Sequence, residues 1–193
     1  MAQYNGYVPV VHDSYDAWRQ AVLGNGYNVD FYAGNQCWDL CALLWYQYNL
    51  TLVTKAGGGV AADCWRVSRY VNAQPPFIMI ENVTDIKRGD VIVFNTSASS
   101  STGHIGFADE DYRGGRIWLL NQLPSRYGLN GTVHVDEWGL GTFLGAFRNT
   151  YWQGTPPEPP TPEGWYNKGK YNFVLFNRRK RQEKWTRKPL KRR

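Results

Sequence analysis

The chain has 193 residues, 42% hydrophobic and 16% aromatic, with a formal net charge of +6. That apolar content supports one full domain and excludes a wholly disordered chain, and no run approaches the roughly 18 apolar residues of a membrane span. Met1-Ala2-Gln3-Tyr4-Asn5-Gly6 offers no basic n-region and no apolar h-region, so no signal peptide is expected, and 3 cysteines, an odd count, read as reduced thiols and not as a disulfide framework.

Asp13 or Ser14 caps a first helix running to about Leu23, with Tyr15, Trp18 and Val22 on one face and Gly24 and Gly26 ending it. A second helix starts near Gln36. There Cys37, Leu40, Cys41, Leu44, Trp45 and Tyr48 recur at spacings of three and four, which defines a buried stripe. A third, shorter helix is predicted over 61–70, after Gly57-Gly58-Gly59. Strands are predicted over 91–94, following the turn Lys87-Arg88-Gly89-Asp90, and over 104–108, 116–120 and 143–148. Helices followed by strands predict an α+β domain with N-terminal helices packed on an antiparallel sheet.

The body, residues 1–153, gives way to a linker over 154–163. Thr155-Pro156-Pro157-Glu158-Pro159-Pro160-Thr161-Pro162-Glu163 holds five prolines in nine residues and reads as a stiff, extended spacer. Residues 164–193 form an aromatic and basic tail with twelve Lys or Arg against one acid, Glu183. The preceding 163 residues hold the other ten bases and fifteen acids, so attraction to a polyanion belongs to the tail. At this length the tail cannot build its own core. Its candidate partners are anionic polymers, with nucleic acid ranked last; a solvated charge run is the alternative.

Cys37 falls in the first turn of the second helix, where free backbone N–H groups and the positive end of the helix dipole lower a thiol pKa. The Cys37 N–H and the Gln36 side chain are candidate donors to a developing oxyanion. The competing reading makes Cys37 the start of the buried stripe, a role that suits Cys41 and Cys64 better. His104 stands in Gly103-His104-Ile105-Gly106, on a strand and between small residues that leave room for a substrate beside the ring. His12 and His134 read as structural. Asn121 ends the strand over 116–120; if that strand pairs with the one bearing His104, its amide can orient the imidazole. Otherwise Asn121 is a strand-end turn residue.

These pieces resemble the CHAP family, the cysteine- and histidine-dependent amidohydrolases and peptidases of phage lysins and bacterial wall remodelling. The matching segments are Gly34-Asn35-Gln36-Cys37-Trp38-Asp39, Lys87-Arg88-Gly89-Asp90-Val91-Ile92-Val93-Phe94, Gly103-His104-Ile105-Gly106-Phe107 and Leu120-Asn121-Gln122. Phe143-Leu144-Gly145-Ala146-Phe147-Arg148 looks like the family's closing strand. The resemblance runs from about Tyr15 to Tyr151. It implies a papain-like α+β fold, cleavage of amide bonds in peptidoglycan, Cys37 as nucleophile and His104 as general base. One departure stands out. Many members carry an acid, then Gln, then Asn at the third site, whereas this chain reads Asn121-Gln122-Leu123 and offers no carboxylate there in either register.

Upstream of the thiol, Asn28, Asp30, Tyr32, Gly34 and Asp39 place oxygens at positions 1, 3, 5, 7 and 12 of a loop, the spacing of an EF-hand. Some phage CHAP lysins look similar here and hold calcium. The alternative is a turn in which Asp39 bonds the backbone. The functional expectation is a phage peptidoglycan hydrolase, an amidase or endopeptidase, reaching the wall from the host cytoplasm or with the virion tail. A non-enzymatic virion or wall-binding protein, with a degenerate site and a functional tail, is the alternative.

Overall fold

The computed structural model describes residues 10–55, 59–97, 100–123 and 131–153. The chain divides into two units, Met1–Pro157 and Glu158–Arg193, and all the described residues belong to the first. The predicted linker and basic tail lie outside the described residues.

Ser14 opens the first helix, α1 (Tyr15–Val22), by accepting the Ala17 N–H at 3.2 Å. Its buried side chains are Tyr15, Trp18 and Val22, the face the spacing predicts. The second helix, α2 (Cys37–Gln47), buries every residue from Asp39 to Trp45. The predicted stripe is therefore widened to the whole circumference. α2 lies on two strands of the sheet, β3 (His104–Ala108) and β4 (Arg116–Gln122). On another side its Trp45 donates the indole N–H to Asn72 O at 3.0 Å.

The single helix expected over 61–70 is instead two short ones, α3 (Asp63–Arg66) and α4 (Arg69–Asn72). The break falls at Ser68, whose hydroxyl turns to the Thr54 carbonyl, an alternative to helical pairing that serine readily takes.

The remaining strands are β1 (Phe77–Ile80), β2 (Val91–Phe94), β5 (Val133–Gly139) and β6 (Phe143–Asn149). The order β1-β6-β2-β3-β4-β5 is antiparallel at every pairing. β1 and β5, the two edges, have no counterpart among the predicted strands. β1 is only four residues long, and β5 has one fully buried residue, Val133, so neither carries a strong alternation.

Both faces of the sheet are covered. Val91, Val93, Ile105, Phe107, Leu120 and Phe147 face the helices. Ile92, Phe94, Ala108, Ile117, Leu119 and Ala146 point the other way and pack with Ile80, Ile86 and Leu140. That two-sided burial explains why β2 is apolar without interruption and why β3 is buried along its whole length. Trp45 stacks on Phe77 with centroids 4.0 Å apart, tying α2 to the β1 edge.

Candidate active site

The loop before α2 is built around one carboxylate. Asp39 is fully buried; its Oδ1 accepts the Val29 N–H at 2.7 Å, and its Oδ2 accepts the Gln36 N–H at 2.8 Å. The second bond closes the N-terminal turn of α2 from its third residue, a place where an acid also meets the helix dipole. Burial pushes the Asp39 carboxyl up to about 6, against the N–H groups of Gln36 and Val29, which pull it down. Gln122, also fully buried, ties this loop to β4. Its Oε1 accepts the Tyr27 N–H at 2.8 Å, and its Nε2 donates to Tyr27 O at 2.7 Å and Gln36 O at 2.8 Å. The residue preceding the thiol is thus held from both sides.

Cys37 is the first residue of α2 and is half-buried, whereas Cys41 and Cys64 are buried. The sequence predicts a lowered thiol pKa; the fold gives the opposite. Burial pushes the Cys37 thiol up to about 11, opposed by backbone hydrogen bonds from Ile105, Trp38 and Cys37 itself. The helix N-terminus is present, but loss of hydration outweighs it. Cys37 stands between two cavities. One, of about 620 Å³, is lined by Gln36, His104, Leu123 and Trp138 among others. The other, of about 520 Å³, is lined by Asp30, Tyr32, Trp38 and Val60 among others. Cys37 and Gln36 line both.

His104 opens β3, opposite Phe94 of β2. By strand alternation its side chain shares a face with Gly106 and Ala108, and at the end of the sheet it lines the larger cavity, which Cys37 also lines. The glycines around it do a different job from the one expected. Gly103 has φ +70°, and a Cβ there would lie 2.4 Å from Phe94 O. A Cβ on Gly106 would lie 3.0 Å from the Asn121 Cβ. They make room for the protein's own backbone and for Asn121, and Gly103 also lines the larger cavity.

The imidazole is only 4% exposed, and burial pushes its pKa down to about 3, with the Asn121 side chain pulling it up. Cys37 and His104 therefore rest as neutral thiol and neutral imidazole around pH 7. Asn121 lies beside the ring, yet its Oδ1 and the His104 Nε2 are both buried without a partner at hydrogen-bond geometry. Oδ1 accepts and a protonated Nε2 donates, so the two atoms are complementary. The Trp138 indole lies flat on the ring, with centroids 4.1 Å apart and planes 6° from parallel.

Cys37, Gln36 and His104 thus share one cavity, with Asn121 behind the ring. Gln36, the candidate oxyanion donor, gives one amide hydrogen to Tyr32 O at 2.7 Å and keeps a second. The oxygens proposed as calcium ligands are engaged within the loop itself. Both Asp39 oxygens serve N–H groups, the Tyr32 carbonyl accepts from Gln36, and Asp30 Oδ1 accepts the Tyr32 N–H at 2.8 Å. Asn28 and Gly34 belong to the same loop, and no group of three His, Cys, Asp or Glu among the described residues is arranged to hold a metal ion. Two site residues escaped the sequence reading: Asp136 and Trp138 of β5. Their signal was the i, i+2 spacing of His134, Asp136 and Trp138, which places them on one face of a strand.

No helix among the described residues is long and apolar enough to cross a membrane. No family model matches the chain. Over 137 residues, 70% of its length, it is 28% identical to the D-alanyl-L-alanine endopeptidase of Streptococcus phage B30, and the match spans 30% of that protein. Among solved structures, the wild-type endolysin LysIME-EF1 superposes with a TM-score of 0.51 at 23% identity, covering 68% of this chain and 60% of that one. The structure of Ly7917 with the hydrolyzing product of MDP gives a TM-score of 0.44 at 13% identity over the same shares. The α+β fold of helices on a six-stranded antiparallel sheet is that of the endolysin. In sequence the chain is similar to a phage endopeptidase, and in fold to an endolysin, over the region that resembles the CHAP type.

Proposed function

We propose that this protein hydrolyses amide bonds of bacterial peptidoglycan with Cys37 as nucleophile and His104 as base. The observation that carries the reading is the shared cavity: a thiol at a helix N-terminus and a strand-borne imidazole line it together, and the thiol also lines a second cavity. The relationship to a phage endopeptidase supports the wall as substrate.

In this reading the Cys37 sulfur attacks the amide carbonyl carbon while its proton passes to His104, so the charged pair exists only as the reaction proceeds. The tetrahedral oxyanion is held by the Cys37 N–H and the free Gln36 amide hydrogen. His104 gives its proton to the leaving nitrogen, the C–N bond breaks, and a thioester remains. His104 then takes a proton from water; the hydroxide adds, the C–S bond breaks, and the sulfur recovers its proton. Asn121 orients the ring and favours its transient charge. No step uses a metal. The tail over 164–193, outside the described residues, is assigned to docking on wall polymer or virion protein, and the protein acts on the wall from the host cytoplasm or the virion.

Turbidity of purified Gram-positive walls tests the reading. The protein should clear them; Cys37→Ala should abolish clearing, and Cys41→Ala and Cys64→Ala should retain it. Mass spectrometry of the released fragments assigns the bond as peptide or muramoyl amide. Clearing by Cys37→Ala would eliminate the mechanism, and no clearing by the parent protein would favour the non-enzymatic alternative.

A further inference from the structure

We propose that Asp136 is a positioning residue of this site, holding the Asn121 amide in the one orientation that turns its carbonyl oxygen toward His104. The inference rests on the thiol-hydrolase reading above and answers its weakest point, the missing carboxylate at the third site.

An asparagine amide can sit either way round, and its neighbours decide which. Asn121 Nδ2 donates to Leu119 O at 3.1 Å and to Asp136 Oδ1 at 2.6 Å. Both partners are acceptors only. Turning the amide over would set its oxygen against two other oxygens, one of them charged, in a fully buried place. The NH2 end is therefore fixed on the Asp136 side, which leaves Oδ1, buried and unpartnered, for the imidazole.

The register explains how a residue of β5 reaches this point. Asn121 lies opposite His134, and Leu119 lies opposite Asp136, so Asp136 is the diagonal neighbour of Asn121 on the same sheet face. The same Asp136 oxygen also accepts the Trp138 indole N–H at 2.8 Å. One carboxylate oxygen thereby holds both the amide behind the imidazole and the aromatic plate on top of it. Its other oxygen lies 3.8 Å from His134 Nε2. The negative charge that the third site lacks in the sequence is present one amide farther out, where it polarises the Asn121 amide and not the ring directly. The Asp136 side chain is 40% exposed, so its replacement leaves the packing of the sheet intact.

The experiment compares Asp136→Ala and Asp136→Asn by two readouts that need no wall substrate. The first is the rate at which iodoacetamide alkylates Cys37, followed on the peptide that carries it. The second is the protonation site of His104, read from 15N–1H correlation of its ring. The parent ring should carry its proton on Nε2. Asp136→Ala should slow alkylation about 10- to 100-fold and give mixed tautomers, a loss of the size found when the partners that orient ligand side chains are removed. Asp136→Asn keeps an oxygen for both N–H groups and should stay within threefold of the parent. Three results would each overturn the proposal: a parent ring protonated on Nδ1, an Asp136→Ala variant equal to the parent, or an Asp136→Asn variant as slow as Asp136→Ala. Wall turnover should follow the same ranking, with kcat falling and KM within threefold. If the parent clears no walls, the proposed function fails, while alkylation and tautomer still decide the role of Asp136.

Discussion

The Trp138 indole and the His104 imidazole form a parallel stack on the floor of the larger cavity, and the indole N–H is spent on Asp136. The plate keeps water from one side of the base. Since burial is what pushes the imidazole down to about 3, uncovering the ring should raise its pKa toward the ordinary 6.5. In Trp138→Ala an NMR titration of His104 should move up by at least one pH unit, whereas Trp138→Phe should move little. An unchanged titration in Trp138→Ala would show that other walls desolvate the ring.

The two reacting groups predict a broad pH profile. His104 is pushed down to about 3 and Cys37 up to about 11, so the neutral pair spans a window wider than the ordinary values of 6.5 and 9.0 allow. Turnover at subsaturating substrate, kcat/KM, should be flat from roughly pH 4 to 10, with limbs belonging to the pair and not to either residue. An acid limb at 6.5 would contradict a desolvated base. Stability follows the same shifts. The folded imidazole resists a proton that the unfolded one accepts below 6.5, so His104 costs stability as pH falls toward 3. Cys37 costs stability as pH rises from 9 to 11, where the unfolded thiol ionises and the folded one does not. Asp39 acts against His104, because its folded carboxyl takes up a proton near 6 and adds stability as pH falls to 3.8. The imidazole shift is the larger, so unfolding monitored by circular dichroism should show net loss toward acid.

Asp39 binds the backbone, and its replacement should be costly without any metal. Asp39→Ala orphans the Val29 and Gln36 N–H groups, each worth about 1–3 kcal/mol when left buried. Thermal unfolding should fall accordingly, by the same amount with calcium or with a chelator. A parent protein whose Tm rises by several degrees with calcium would reveal a loop that rearranges around the ion.

Gly103 sets the entry of β3. A methyl group there meets the Phe94 carbonyl at 2.4 Å and the Ala62 Cβ at 2.8 Å, on a backbone at φ +70°. Gly103→Ala should therefore destabilise by about 3 kcal/mol, or roughly 10 °C in Tm. It should also displace His104 and suppress wall turnover. A variant of parental Tm would show that the strand entry relaxes cheaply.

Local chemistry was enough to locate the helix that opens on Cys37, the strand that opens on His104 and the α+β class. Ser14, the spacing of Tyr15, Trp18 and Val22, and the apolar run over 91–94 each act within a few residues of themselves. What the thiol and the imidazole experience was not readable that way. Burial is a property of everything packed around a group, and here it overrides the helix N-terminus that a linear reading credits to Cys37. Asp39 shows the same limit: only three-dimensional placement shows that its oxygens accept the Val29 and Gln36 N–H groups. The carboxylate missing beside Asn121 was also beyond a linear reading. It arrives from β5, an edge strand of weak pattern, and only the pairing of Asn121 with His134 places Asp136 diagonally against the amide.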